Sequence, residues 1–283
     1  LLEVFPLMQF EPGIHQLTIG RQPFAGFPTP NSFVVVGNDS SILIDAGYDD
    51  ENDHRERMTY IESLGAPPVS ELIITHRHPD HGGGAAAMHA ATGAALTCHP
   101  LDREAIERDR LQGRAPIAAD VHGGEVRDLG GLTVEIHHAP GHTPGCLALY
   151  VPERGALFAT DTVMGMSTTV LRPPEGDLRA YANTLESFRQ IGAKTIYGGH
   201  GDPIADPAKR LDQLVRHREQ REQDLLRVLG EGTYTVREIR EVMYTGLPEV
   251  RWALAEDQLR TGIAKLIEDG AAREDGDHYT LAR

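Results

Sequence analysis

A chain of 283 residues with 42 acidic and 27 basic side chains carries a net charge of −15; it is long enough to bury a full core plus a small second domain, and its charge opposes long-range attraction of polyanions. With 40% apolar residues, a mean hydropathy of −0.33 and no apolar run near the roughly 18 residues that a spanning helix needs, a membrane protein is excluded. Only two cysteines, Cys98 and Cys146, exclude a disulfide framework and fit a reducing, cytoplasmic setting, and LLEVFPLMQF at the start lacks the charge and cleavage pattern of a signal peptide.

Strand-length apolar runs alternate with turn signals, and strands are expected near 14–20, 32–37 and 41–45. The connection between the first two, RQPFAGFPTPN, carries Phe24 and Phe27. Those rings either pin the loop to the core or form an apolar wall for a substrate. The third strand closes at Asp45 in SILIDAG, a good turn residue in its own right. After a helix near 51–64, a strand at 71–75 runs into THRHPDH, which packs His76, His78, Asp80 and His81 into six positions. Gly82-Gly83-Gly84 follow, opening a helix near 82–92. Imidazole suits divalent transition metals and a carboxylate adds charge that retains the ion, so this loop can serve one metal or two. The plainer alternative, solvated surface histidines, is open to a chain with 14 of them. It is disfavoured because further candidate ligands close later apolar runs.

A strand near 94–98, a helix near 101–111 and strands near 125–128 and 132–137 lead to His142 in APGHTPG. Strands near 146–151 and 156–160 lead to Asp161 in FATD, followed by Thr168, Thr169 and Arg172 as candidate contacts to a carbonyl or anionic group. A helix near 178–191 and a strand near 194–198 lead to His200 in YGGH. Beyond residue 206 the character changes to a long amphipathic helix near 206–229, with Leu211, Leu214, Val215, Leu225, Leu226 and Leu229 on or near one side. A capping box at Thr235 to Glu238 starts a short helix, a third spans about 249–269, and 272–281, broken by Asp275-Gly276, reads as a hairpin. Helices followed by a hairpin make a winged-helix-like domain. Residues 215–283 hold 14 acidic and 11 basic groups, which favours a packing or substrate-wall role over nucleic-acid binding.

The series HxHxDH, GHTPG, an Asp after a short strand and a His before Gly-Asp, within residues 14–205, resembles the metallo-β-lactamase superfamily. The resemblance implies an α/β (α+β) fold, a four-layer αββα sandwich over 1–205, followed by the winged-helix-like domain of 206–283. It also implies His76, His78 and His142 at one metal, Asp80, His81 and His200 at the second, and Asp161 bridging both. Asp45 would support the HxHxDH loop through hydrogen bonds. Zn²⁺ is the first choice for the two divalent ions, and the same donors accept Fe and Mn. Two such ions share a solvent molecule and present it as hydroxide near neutral pH, while Asp80 orients it and shuttles a proton to the leaving group. Several true β-lactamases carry Ser or Cys near the bridging position, so Asp161 points instead to the fully binuclear hydrolases.

GMSTTV at 165–170, YGGHGDPI at 197–204, RHREQRE at 216–222 and the winged-helix-like end together resemble the lactamase-β-like-protein-2 group. That group includes single-strand endoribonucleases, and related fungal members act as thioesterases on carrier-bound polyketides. Gly198 departs from the Pro that RNA-cleaving relatives tend to carry before Gly-His, and the basic and aromatic tail of glyoxalase II is not reproduced. The expected function is a binuclear metal-dependent hydrolase acting on an ester, thioester, lactone or related bond of a small acyl or ester substrate. The alternatives are a single-strand endoribonuclease with the same site, disfavoured by the acidic charge, then a β-lactamase, then a non-catalytic winged-helix protein. No membrane partner is expected, and the oligomeric state is left open.

Overall fold

The computed structural model describes residues 8–23 and 27–282. They form two compact units, one from the described residues of Leu1–Ala139, Gly145–Ser167 and Gly192–Pro207, the other from Pro140–Pro144, Thr168–Ile191 and Ala208–Arg283.

In the first unit, strands β1 (Met8–Glu11), β2 (Ile14–Thr18), β3 (Asn31–Val36), β4 (Ser41–Ile44), β5 (Val69–Ile74), β6 (Ala95–Cys98) and β7 (Ala119–Asp120) form a seven-stranded sheet in chain order. Neighbours from β1 to β4 run antiparallel, and those from β4 to β7 run parallel. A second sheet is ordered β12-β11-β10-β9-β8, from β8 (Val126–Asp128), β9 (Thr133–His138), β10 (Leu147–Val151), β11 (Ala156–Thr160) and β12 (Thr195–Gly198). Only β11 and β12 pair in parallel there. Helices α1 (Glu51–Ser63), α2 (Pro79–Gly82), α3 (Ala85–Thr92) and α4 (Pro100–Ile106) complete the unit, α4 running into a π-helical turn at Glu107–Leu111.

Sequence pattern explains the layering. Every residue of β4 is buried and β5 has one exposed position, as expected of central parallel strands covered on both faces. Phe33, Ile42 and Ile44 of the first sheet share one core with Val134, Ile136, Leu149 and Phe158 of the second, so the sheets pack face to face. On the other face of the first sheet Leu43, Leu72, Ile74 and Leu96 pack with Ala85 and Met88 of α3 and with Met58 and Ile61 of α1.

The expected helix near 82–92 starts at Ala85 as α3, Gly82 being the last residue of the separate short α2, and the two glycines between them lie against backbone. A Cβ would sit 2.3 Å from the Pro79 carbonyl at Gly83 and 2.4 Å from the Ala46 carbonyl at Gly84. Strands β1 and β7 were not anticipated. β7 has two residues and both are exposed, so no apolar alternation marks it.

The second unit contains α5 (Leu178–Ile191), α6 (Pro207–Glu231), β13 (Tyr234–Thr235), α7 (Val236–Met243), a 3₁₀ turn at Glu249–Arg251, α8 (Trp252–Glu268), β14 (Ala272–Asp275) and β15 (His278–Leu281). The Thr235 capping box is present, with Glu238 accepting from the Thr235 backbone at 2.8 Å. The hairpin also forms, and β13 adds a third strand beside β15 that two residues could not announce in the sequence. Leu225, Val228 and Leu229 of α6 close a core with Ile239 of α7 and Leu259, Ile263 and Leu266 of α8. Helix α5 clusters with these elements and contacts α8, and Arg179 pairs with Asp269. Among the described residues no helix is long and apolar enough to cross a membrane.

Candidate metal centre

Two pairs of neighbouring parallel strands of the first unit, one pair in each sheet, end in chemistry-bearing residues: β4 in Asp45, β5 in the THRHPDH loop, β11 in Asp161 and β12 in Gly199 and His200. Clustering at the carboxyl ends of parallel strands is the usual position of a site in layered α/β folds.

Asp45 decides how the loop is held. It is buried at 1% exposure and its backbone takes φ 60°, a left-handed conformation that Asp tolerates better than most residues. Its Oδ1 accepts from the Thr75 backbone at 2.8 Å, and its Oδ2 accepts from Thr75 Oγ1 at 2.8 Å and His81 Nδ1 at 2.7 Å. One carboxylate thus clamps both ends of the loop, which a simple turn residue would not do. In the middle of the loop, Arg77 faces away and donates through its backbone N and its Nε to the buried Asp102, at 3.0 and 2.9 Å.

The imidazoles are oriented by the same logic. Thr75 Oγ1 gives its proton to Asp45, so at 3.1 Å it accepts from His76 Nδ1. His200 Nδ1 donates to the Pro28 carbonyl at 2.9 Å. In each ring the Nε2 is therefore the nitrogen left with a lone pair, the arrangement found where a resident metal is bound. His81 Nε2 is buried 3.2 Å from Asp161 Oδ1 without hydrogen-bond geometry, and His200 Nε2 lies 3.4 Å from Asp80 Oδ2 and 3.6 Å from Asp161 Oδ1.

His76, His78 and Asp161 offer donor atoms within 4.8 Å of one another, as do Asp80, His81 and His200. Asp45 also lies within that distance of His76 and His81, but its oxygens are engaged by Thr75 and His81. The two adjoining donor groups make a binuclear metal-binding site suited to metal-dependent hydrolysis. Mixed imidazole and carboxylate donors fit a divalent ion of Zn, Fe or Mn type.

Electrostatics agree with that fit. Burial alone would lower the pKa of His81, but Asp161, Asp45 and Asp80 around it hold it well above the ordinary imidazole value. His200 is raised against burial by Asp161 and Asp80. Burial pushes Asp80 up, yet His81 and His200 bring it below the usual carboxylate range. The same acidic surroundings that favour a positive charge on these rings would favour a divalent cation beside them, which needs the Nε2 lone pair free of a proton.

The remaining expected residues are distributed as follows. Phe24 lies outside the described residues. The Phe27 ring stands 4.8 Å from the His200 ring, edge on. His142 belongs to the second unit, in the loop between β9 and β10, and its Nδ1 donates to the Val170 carbonyl at 2.7 Å, again leaving Nε2 for a ligand. Thr168, Thr169 and Arg172 are in that unit too. Thr169 is buried, its carbonyl accepting from Arg218 at 2.5 Å, and Arg172 pairs with Asp257 at 3.0 Å.

Two residues escaped the sequence reading. Asn31 is buried at the start of β3 and donates to the carbonyls of Gly198 and Gly201 at 3.0 and 2.8 Å, bracketing His200. Tyr48, three positions past Asp45, has its phenol pKa raised by burial and by Asp80 and Asp161, and Arg21 lies 4.6 Å over its ring. Its place in the turn after Asp45 was the available signal. Gly199 is the tightest position of the site, since a Cβ there would lie 2.1 Å from Asp161 Oδ1 and 2.8 Å from His81 Cε1. Gly199→Ala should therefore cost about 1–3 kcal/mol by overpacking. It should also lower bound metal, although no donor is changed. Elemental analysis beside urea unfolding checks both, and a parent-like result in each would show that the turn yields freely.

Residues 25–200 match the metallo-beta-lactamase superfamily. The chain is 27% identical over 241 residues to a Beta-lactamase-like protein 2 homolog of Caenorhabditis elegans, covering 85% of this chain and 79% of that one. It is 28% identical over 285 residues to Lactamase-like protein nscB of Trichophyton rubrum, covering 95% and 84%. In fold it is similar to a metallo-beta-lactamase family protein of Thermus thermophilus, with a TM-score of 0.80 at 22% identity over 96% of this chain and 100% of that one. A beta-lactamase domain protein of Burkholderia ambifaria superposes with a TM-score of 0.84 at 19% identity, covering 97% and 93%. Donor set, strand-end placement and matched residues lead to one conclusion: the chain belongs to the metallo-beta-lactamase superfamily.

Proposed function

We propose that this protein hydrolyses an ester, thioester, lactone or related bond of a small organic substrate, with residues 1–205 as the catalytic domain and 206–283 as an accessory winged-helix-like domain. The observation that carries the reading is the convergence of His81 Nε2 and His200 Nε2 on Asp161 Oδ1, at 3.2 and 3.6 Å, with Asp80 beside them. His76, His78 and His142 would hold one ion, Asp80, His81 and His200 the other, and Asp161 would bridge. The chemistry that two divalent cations, Zn²⁺ first, would supply there is a solvent of near-neutral pKa and a polarised scissile carbonyl. Asp80, whose carboxyl is held below its usual range, is ionised at neutral pH and accepts a proton for delivery to the leaving group. Asp45 keeps the His81 Nδ1 proton in place and so aims Nε2.

Phe27, against the His200 ring, supports an apolar substrate wall with Phe24 as its expected companion. Thr168, Thr169 and Arg172 are the proposed polar contacts, and Arg172 would have to release Asp257 to serve. Cys98 and Cys146 are reduced and buried, which supports a cytoplasmic setting.

Single-strand endoribonuclease activity is the second reading. It is favoured by similarity to Beta-lactamase-like protein 2 homologs over 85% of the chain and opposed by the net charge of −15. Metal-loaded protein assayed against thioesters, lactones, phosphoesters, β-lactams and single-stranded RNA separates the two. Acyl-bond turnover lost to a chelator and restored by about two equivalents of metal is expected. RNA cleavage with steeply salt-dependent RNA binding, and no acyl turnover, would replace the first reading by the second.

A further inference from the structure

The connection from β2 to β3 reaches the metal centre at its later end. There the Pro28 carbonyl accepts from His200 Nδ1 at 2.9 Å, and the Phe27 ring stands 4.8 Å from the His200 ring. Its earlier end lies on Tyr48. A Cβ at Gly20 would sit 3.9 Å from Tyr48 Cδ2, and Arg21 Cζ is 4.6 Å from the centre of the Tyr48 ring. The turn that carries Tyr48 is in turn fastened to the histidine loop: Ala46 N donates to the His81 carbonyl at 2.7 Å and Gly84 N to the Gly47 carbonyl at 2.9 Å.

An exposed arginine is ordinarily a solvated charge. Arg21 is exposed, but three observations set it apart. A guanidinium stacked on an aromatic ring is confined while the donors along its edge stay free. No carboxylate pairs with Arg21 among the described residues, in a chain where 42 acidic groups face 27 basic ones. The ring beneath it also faces the centre. Burial raises the Tyr48 phenol pKa most, Asp80 and Asp161 raise it further, and Arg21 opposes them. Those two carboxylates follow strands of different sheets, so the phenol lies where the two halves of the site meet.

We propose that Arg21, held over Tyr48, selects substrates that carry an oxyanion, a carboxylate or a phosphate, a few bonds from the scissile acyl bond. The inference deepens the acyl-hydrolase reading of the centre and rests on it for the kind of bond. A planar guanidinium offers parallel donors to such a group, and Tyr48 is the residue that positions it. With Phe27 beside His200, the connection presents an apolar ring and a cation to different parts of one substrate. Two divalent cations at the centre would offset the charges of Asp80 and Asp161 that otherwise repel an anion.

The metal-loaded full chain is assayed with the N-acetylcysteamine thioesters of butyrate and succinate and with butyryl-coenzyme A. The corresponding products, butyrate against succinate and N-acetylcysteamine against coenzyme A, are titrated by calorimetry. If the oxyanion belongs to the acyl part, the succinyl thioester should exceed the butyryl one about fivefold in kcat/KM, and Arg21→Gln should remove that factor through KM. If it belongs to the leaving group, butyryl-coenzyme A should show the same dependence on Arg21. Tyr48→Phe keeps the ring and should retain the preference, whereas Tyr48→Leu should reduce it; a parent-like preference in Tyr48→Leu would remove Tyr48 from the proposal. Preferences that survive Arg21→Gln in both series, as expected if the metal ions held the oxyanion, would overturn it, and so would a parent that prefers neither anionic thioester. Absence of any thioester turnover would count instead against the acyl-hydrolase reading, and the effect of Arg21→Gln on succinate and coenzyme A binding would then decide the role of Arg21 by itself.

Discussion

Turnover in Asp80→Ala should fall by about 10²–10⁴-fold at saturating metal, with the fold retained. Asp80 sits in the first turn of α2, half-buried, with His200 Nε2 3.4 Å from its Oδ2. It combines two roles that must be separated, donor to a cation and proton acceptor. Asp80→Asn keeps an oxygen donor and removes the basicity, so it should approach the alanine variant in kcat while retaining more metal. The measurement is kcat with metal content determined on the same sample. Near-normal turnover in a variant carrying two ions would end the assignment of Asp80 as the base.

The pH profile follows from the same electrostatics. Asp80 is held below the usual carboxylate range and so stays ionised through mildly acidic pH. His81 and His200 are held above the ordinary imidazole value. Each raised imidazole keeps its proton to higher pH, and a cation must displace it, so metal uptake weakens as pH falls through those raised values. The acid limb of activity should accordingly move to lower pH as free metal is raised, whereas a limb set by Asp80 alone would not move.

Asp45→Ala should cost about 3–5 kcal/mol of stability and about 10–100-fold in metal affinity, although Asp45 is not proposed as a ligand. The carboxylate is buried at 1% exposure and accepts from the Thr75 backbone, Thr75 Oγ1 and His81 Nδ1. Its removal strands three donors in a site without water access and lets the His81 ring turn. Alanine would also have to adopt φ 60°, which adds backbone strain. Asp45→Asn tolerates that conformation and isolates the lost charge, so it should fall between parent and alanine variant. Urea unfolding and metal titration of the three proteins check the order; a parent-like metal affinity in Asp45→Ala would show that the loop orients itself.

How much of this was legible beforehand depended on how local each feature is. THRHPDH, GHTPG and the Asp and His after later strands announce themselves because donor types cluster at the ends of apolar runs. Long elements were equally plain, since α6 repeats its leucines at helical spacing, and β5 ends in the apolar run Leu72-Ile73-Ile74. Strands β1, β7 and β13 have two to four residues, too few to show a period, and β13 finds its partner β15 only beyond α7 and α8. The helix expected at 82–92 starts at Ala85, and that Gly83 and Gly84 pack against the Pro79 and Ala46 carbonyls is visible only in the fold.

The sequence by itself determined the candidate donors, the order of the strands that carry them and the family. Only the tertiary structure decided that Asp45 clamps a loop whose His81 is 36 positions away, that Asn31 brackets His200 from another strand, and that Gly199 admits no side chain beside Asp161. Residue type and short spacing set which groups are available, whereas ring orientation, burial and unmatched donors arise when segments far apart in the chain pack together.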